Sequence, residues 1–228
     1  MKSADRYLET GQYDEAVKIL EAELPAVRAS GDQTELLNTL CKLGISYYEA
    51  RRNGEARAVF EEGLSLARKT NDPQLGRFAH ELSMVRMNEG KLDEGIELCK
   101  EALELDLAAG GEGAMEMHTL SILYQEAGRF SEAMEVLGLV REACEARQDL
   151  EGLGKCLNEM GMTCIGSGDL PAAVKYMVDS IELKHRIHNV RGIQHTSGVL
   201  EKLLMRYPQL MVDPGVRADM QRLRSILA

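Results

Sequence analysis

Cys41, His80, His118 and Asn158 stand 39, 38 and 40 residues apart along the chain. A thiol, two imidazoles and an amide in series could either bind a metal or hydrogen-bond a polypeptide backbone. Metal ligation would require them to converge within about 4 Å of each other on one ion. Equivalent residues one repeat apart stand roughly 10 Å or more from each other, given packing distances of about 8 to 10 Å between adjacent helices. Hydrogen bonds to an extended chain laid across them suit that spacing, so no metal and no cofactor is expected.

Nucleophilic chemistry finds no support. A nucleophile needs a base that a third group holds in place, and the chain contains no Gly-x-Ser-x-Gly, no His-Glu-x-x-His and no phosphate-binding glycine loop. Gly110-Gly111-Glu112-Gly113 falls between two helical segments, where a turn already demands glycine. Carboxylate pairs such as Glu61-Glu62 and Asp93-Glu94 sit on solvated helix faces or in first turns, where they favour the helix dipole. The expectation is a protein without enzymatic activity.

Cys41, Cys99, Cys144, Cys156 and Cys164 are odd in number and include no Cys-x-x-Cys, which argues against a disulfide scaffold and a closed zinc site. Free cysteines on helical faces suit a reducing compartment, and the cytoplasm is the expected location. A net charge of -10, from 27 basic and 37 acidic residues, argues against nucleic acid and anionic membrane surfaces as partners. No run approaches the roughly 18 apolar residues that span a bilayer, and Met1-Lys2-Ser3-Ala4-Asp5 begins no signal peptide.

The elements that carry these residues are set by a repeat. A Gly-x-[aromatic or Leu]-x-Glu-Ala segment begins at Gly11 and Gly128, with Gly for the closing Ala at Gly90 and with Ala for Glu at Gly168; a degenerate copy starts at Arg51. The intervals are 40, 39, 38 and 40 residues, the period of a helical solenoid. Eight residues before each turn a large apolar residue precedes a small one, as in Leu43-Gly44, Leu82-Ser83, Leu120-Ser121 and Met160-Gly161. The small residue marks a close approach of the first helix (A) of each pair to its neighbour. The Ala after the turn belongs to the second helix (B). Tyr47 and Tyr124 fall one turn beyond the small residue on the same face.

This combination resembles the tetratricopeptide repeat, whose usual unit is about 34 residues with a Trp-x2-Leu-Gly-x2-Tyr, Ala, Phe, Pro pattern. The resemblance covers residues 1 to 206 and departs from the pattern in two places. No Trp is present, and Arg68, Leu107, Glu145 and His185 stand where the closing Pro would be. The longer period is more like that of the Pins/LGN, kinesin light chain and Rap-type arrays.

The resemblance implies an all-α, right-handed superhelical solenoid of antiparallel helix pairs in one continuous domain. Repeats are expected over 1–30, 31–70, 71–109, 110–148 and 149–188, followed by a partial sixth helix at 191–206 and a capping helix at 214–227. A helices are expected at 33–50, 73–88, 112–127, 151–167 and 191–206, and B helices at 13–29, 53–70, 92–108, 131–147 and 170–187. Residues 1–10 read as a short helix A whose beginning is missing, by nature or by truncation. Pro25 should bend the first helix B or loosen its last turn. Asp32 and Asp213 are expected to cap helices, with Pro214 at a first helical position. The final helix reads as a cap, the alternative being a cut before a further domain.

In the repeats that the chain resembles, helix A lines a concave wall, and its inward positions lie six and three residues before the small residue and one, four and five after it. On this sequence the first column holds Asn38, Arg77, Met115, Lys155 and His195. The second holds Cys41, His80, His118, Asn158 and Gly198, and the third Ile45, Met84, Ile122, Met162 and Lys202. Tyr48, Met87, Gln125, Ile165 and Met205 form the fourth, and Glu49, Asn88, Glu126, Gly166 and Arg206 the last. The middle of the wall is rich in adaptable thioethers. Its carboxy-terminal end gathers Lys155, Lys202 and Arg206 beside His195.

The resemblance thus implies a scaffold or adaptor that holds a partner protein's peptide or helix, apolar with acidic groups, in the groove. Two alternatives stand beside it: a regulatory module closing on a short signalling peptide, and self-assembly through an exposed end of the array.

Overall fold

A helix hairpin closes tightly when the residue following its first helix adopts left-handed backbone, a conformation that glycine takes without steric cost. The computed structural model, which describes residues 4–227, has such a residue at every turn of the repeat. Gly11, Arg51, Gly90, Gly128 and Gly168 hold it between A and B helices, with φ of 63 to 86°. Gly31, Asn71, Gly110, Gln148 and His188 hold it between B and A helices. The degenerate copy therefore keeps the turn with Arg51 in the glycine's place, at φ 63°.

These turns join α1 (Ala4–Glu9), α2 (Tyr13–Ser30), α3 (Gln33–Glu49), α4 (Asn53–Thr70), α5 (Leu75–Asn88) and α6 (Leu92–Ala108). They continue with α7 (Ala114–Glu126), α8 (Phe130–Arg147), α9 (Leu150–Ser167), α10 (Leu170–Arg186) and α11 (Val190–Arg206). A 3-10 turn, Pro208–Val212, leads to α12 (Pro214–Leu227), and no strand occurs among the described residues. The fold is all-α, of the tetratricopeptide-like type. Residues 1–3 and 228 lie outside the described residues, and so does the start of the amino-terminal segment read above for its first helix and for a signal peptide.

Side-chain caps mark several of the helix starts. The carboxylates of Asp32 and Asp149 and the amide oxygen of Asn189 accept hydrogen bonds from the backbone N–H of Glu35, Gly152 and Gly192, and Asp213 accepts from Val216 at 3.0 Å. Each satisfies one orphan donor of a first turn. Two A helices start later than expected, at Leu75 and Ala114. In the first case Asp72 turns back to accept from Gln74 N–H. In the second, Gly113 is left-handed at φ 63° and its N–H is held by the Asp106 carboxylate. Pro25 does not end α2, which runs on to Ser30. The Glu21 carbonyl that it deprives of a donor belongs, like Pro25, to the exposed side of the helix.

The chain divides into two compact units between residues 119 and 120. The amino-terminal unit packs α1 to α5 around Leu20, Leu37, Leu40, Phe60 and Phe78. Its tightest point follows the small-residue pattern. Phe60 from α4 covers Gly44 of α3, and Phe78 from α5 covers Gly63 of α4, and the two rings meet edge to face at 6.4 Å. In the carboxy-terminal unit Met177, Ile181, Leu200, Val216 and Leu223 form the core in which α10 packs against α11 and α12. Tyr47 and Tyr124 sit below guanidinium groups that precede the next B helix, Arg52 at 4.6 Å and Arg129 at 4.8 Å.

Candidate functional site

The amphipathic repeat buries one side of each A helix and leaves a strip of its opposite side uncovered. In the amino-terminal unit Asn38, Arg77 and His118 are exposed, and Tyr48, Met84 and Met87 are half-buried. In the carboxy-terminal unit Lys155, His195, Lys202 and Arg206 are exposed, as is Met162 at 39%, while Ile122 and Gln125 are half-buried. On α9 the uncovered positions Lys155, Glu159, Met162 and Gly166 follow one helical face, and Cys156, Leu157, Met160 and Cys164 are buried behind it.

Cys41, His80 and Asn158, three of the four second-column residues singled out first, are instead closed into the packing, because that column lies where one helix A meets the next. Cys41 is buried, and desolvation pushes its thiol up to about 11. His80 is only 5% exposed, and its Nε2 lies 3.0 Å from the Thr119 hydroxyl. Burial lowers its pKa against the pull of Glu116, which favours the neutral ring. His118 remains exposed.

Asn158 belongs to a buried chain in the carboxy-terminal unit. Lys184 Nζ donates to the Thr196 hydroxyl at 2.7 Å, and that hydroxyl donates to Asn158 Oδ1 at 2.9 Å. Lys184 is 5% exposed, and its pKa is lowered by desolvation against the opposing charge of Glu159. The sequence reading missed both Lys184 and Thr196. Their spacing carries no motif, and a lysine near the end of a B helix ordinarily serves the helix dipole.

At the exposed strip Lys155 is paired with Glu151 at 2.7 Å, and the Arg206 guanidinium rests 5.5 Å from the Tyr207 ring centre. Gln125 has its Nε2 buried without a hydrogen-bond partner. A cleft of about 440 Å³ opens in the amino-terminal unit beside α5, lined by Arg77, His80, Glu81, Asp106, Met115 and Glu116 with the apolar Ala102 and Leu105 of α6. The carboxylates of this cleft escaped the sequence reading, which assigned acidic residues to solvated faces. Gly76, a glycine within helix A facing Leu105, was the available signal. No group of three or more metal-ligating side chains occurs among the described residues.

Two family models match the chain, both described as tetratricopeptide repeat, over residues 2–69 and 76–108. Among solved structures the chain is similar to the nearly identical repeats of a kinesin light chain candidate from Podosopora anserina. The TM-score is 0.73 at 21% identity, covering 82% of this chain and 93% of that one. It is similar to BtubC (BKLC) from P. vanneervenii, with a TM-score of 0.70 at 17% identity over 81% of this chain and 78% of that one. A Rap protein complexed with competence and sporulation factor aligns with a TM-score of 0.64 at 15% identity, over 98% of this chain and 61% of that one. At these identities the likeness concerns the fold. No curated protein matches the sequence.

Proposed function

The chain is a tetratricopeptide-repeat protein, and from that premise we propose that it acts as a scaffold or adaptor, holding a peptide or helix of a partner protein against the uncovered strip of its A helices. The fold is typically a non-enzymatic interaction module. The observation that carries the reading is the strip on α9, where Lys155 and the 39% exposed Met162 face outward from a helix whose other side is buried. A thioether adapts to varied apolar partners, and a cation two turns away orients an acidic one.

Lys155, His195, Lys202 and Arg206 are the groups that receive acidic side chains of the partner, and Met162 with Ile122 receives its apolar ones. No helix among the described residues is long and apolar enough to cross a membrane. All five cysteines are free and buried, which supports a reducing compartment, and we propose the cytoplasm.

The test is a paired affinity capture from source-cell lysate, read by mass spectrometry, with the wild type and a Lys155→Glu, Met162→Glu, Arg206→Glu variant. All three positions are exposed, so the variant should fold. Proteins lost only from the variant support recognition on the strip and name the partner. Identical lists would overturn the reading.

A further inference from the structure

We infer that the cleft beside α5 is an anchor pocket for a basic side chain, lysine or arginine, of a bound polypeptide. This deepens the peptide-holding reading and rests on it. The pocket is large enough for one long side chain, at about 440 Å³. Part of its lining is apolar: Ala102 and Leu105 of α6, Ala109 just beyond it, and Met115, which is 64% exposed. That part suits an aliphatic stem. The lining also carries three carboxylates, Glu81, Asp106 and Glu116, against the single guanidinium of Arg77. Neither Glu81 nor Glu116 makes an ion pair among the described residues, and Asp106 spends one oxygen on Gly113 N–H. Burial, helped by the charge of Glu49, pushes the Glu81 carboxyl up in spite of Arg77. A cation entering the cleft would relieve that cost.

His80 adds a second, independent feature. It is nine-tenths buried at the wall of the cleft, and the one hydrogen bond of its ring among the described residues joins Nε2 and the Thr119 hydroxyl. The tautomer that donates Nε2–H to Thr119 leaves Nδ1 with its lone pair and no partner. A neutral imidazole, three carboxylates and an apolar trough make a receptor for an alkylammonium or guanidinium group and repel an acidic one.

The experiment uses the full chain with methyl-labelled methionine and three peptides, acetyl-Ala-Leu-X-Leu-Ala-amide with X as lysine, norleucine or glutamate, titrated at low salt. The lysine peptide should bind about tenfold more tightly than norleucine, with the glutamate peptide weakest, and should shift the Met115 methyl signal. A folded Glu81→Gln, Glu116→Gln variant should reduce lysine to the norleucine level. Arg77→Ala should strengthen lysine binding.

Equal binding of all three peptides, or a lysine preference that survives in the double variant, would overturn the anchor. If all three bind equally and shift the Met84 and Met87 methyls, the peptide-holding reading stands while the anchor falls. If no peptide shifts any methyl at millimolar concentration, the anchor falls, and the lysate capture decides the wider reading separately.

Discussion

Phe60 rests its ring on the bare backbone of Gly44, so closely that a Cβ at that glycine would overlap the ring. In this repeat the small residue is therefore the seat for an aromatic side chain from the following helix B, and at Gly161 Met177 takes that place. Both residues are buried, Phe60 completely. Gly44→Ala should destabilise the protein by about 2 to 3 kcal/mol through overpacking. Urea unfolding would measure this. Adding Phe60→Leu to Gly44→Ala should return part of the loss, since the smaller side chain vacates the space. A Gly44→Ala protein as stable as wild type would contradict the packing described.

Arg51 occupies left-handed backbone at φ 63° where four of the five A-to-B turns have glycine. A side chain there costs roughly 1 to 2 kcal/mol of local strain, partly offset by the greater freedom that glycine loses on folding. Arg51 is exposed and its replacement removes no buried contact. Arg51→Gly should therefore stabilise the chain by about 0.5 to 1 kcal/mol, seen as a raised unfolding midpoint in denaturant. The reverse exchange, Gly90→Arg, should lower the midpoint.

Lys184 donates only to the Thr196 hydroxyl among the described residues. Thr196→Val would leave a buried ammonium without that acceptor and should cost about 2 to 3 kcal/mol. Desolvation holds the folded-state pKa of Lys184 below the free value of 10.5, so the unfolded chain binds this proton more tightly. The penalty is complete below the folded pKa and fades as pH rises from there to 10.5. Lys184→Met should accordingly match or exceed wild-type stability at pH 7, by about 1 kcal/mol, with the advantage shrinking toward pH 10.5. An advantage that grew with pH would contradict the assignment.

The thiols of Cys41, Cys99 and Cys156 are pushed up by burial to about 11, about 12 and about 12. Burial also raises Cys144 and Cys164. Thiolate is the reactive form, so a disulfide-exchange reagent at pH 8 should titrate no thiol rapidly in the native protein and all five after unfolding in urea. A fast-reacting thiol in the native state would locate a cysteine that the packing fails to cover.

Most of the helix boundaries were legible from local signals. The Gly-x-[aromatic or Leu] turns end the A helices, and the Asp32 and Asp213 caps start α3 and α12 where the sequence reading put them. Such signals work because caps and left-handed turns satisfy backbone groups within a few residues. The late starts of α5 and α7 escaped it because the carboxylates of Asp72, in the loop, and Asp106, near the end of α6, hold them. Asp106, which fixes Gly113, is seven residues away.

The surface divides in the same manner. The period of the repeat identified which side chains share a column, and Lys155, Met162, His195, Lys202 and Arg206 are exposed. Which members of a column stay open was decided by tertiary packing. His80 and Asn158 are covered because residues one repeat away, Thr119 and Thr196, come to hydrogen-bond them, while His118 in the same column stays exposed. A local pattern fixes the direction of a side chain on its own helix, and the distance to the neighbouring helix, set by residues such as Gly44 and Phe60, decides whether anything covers it.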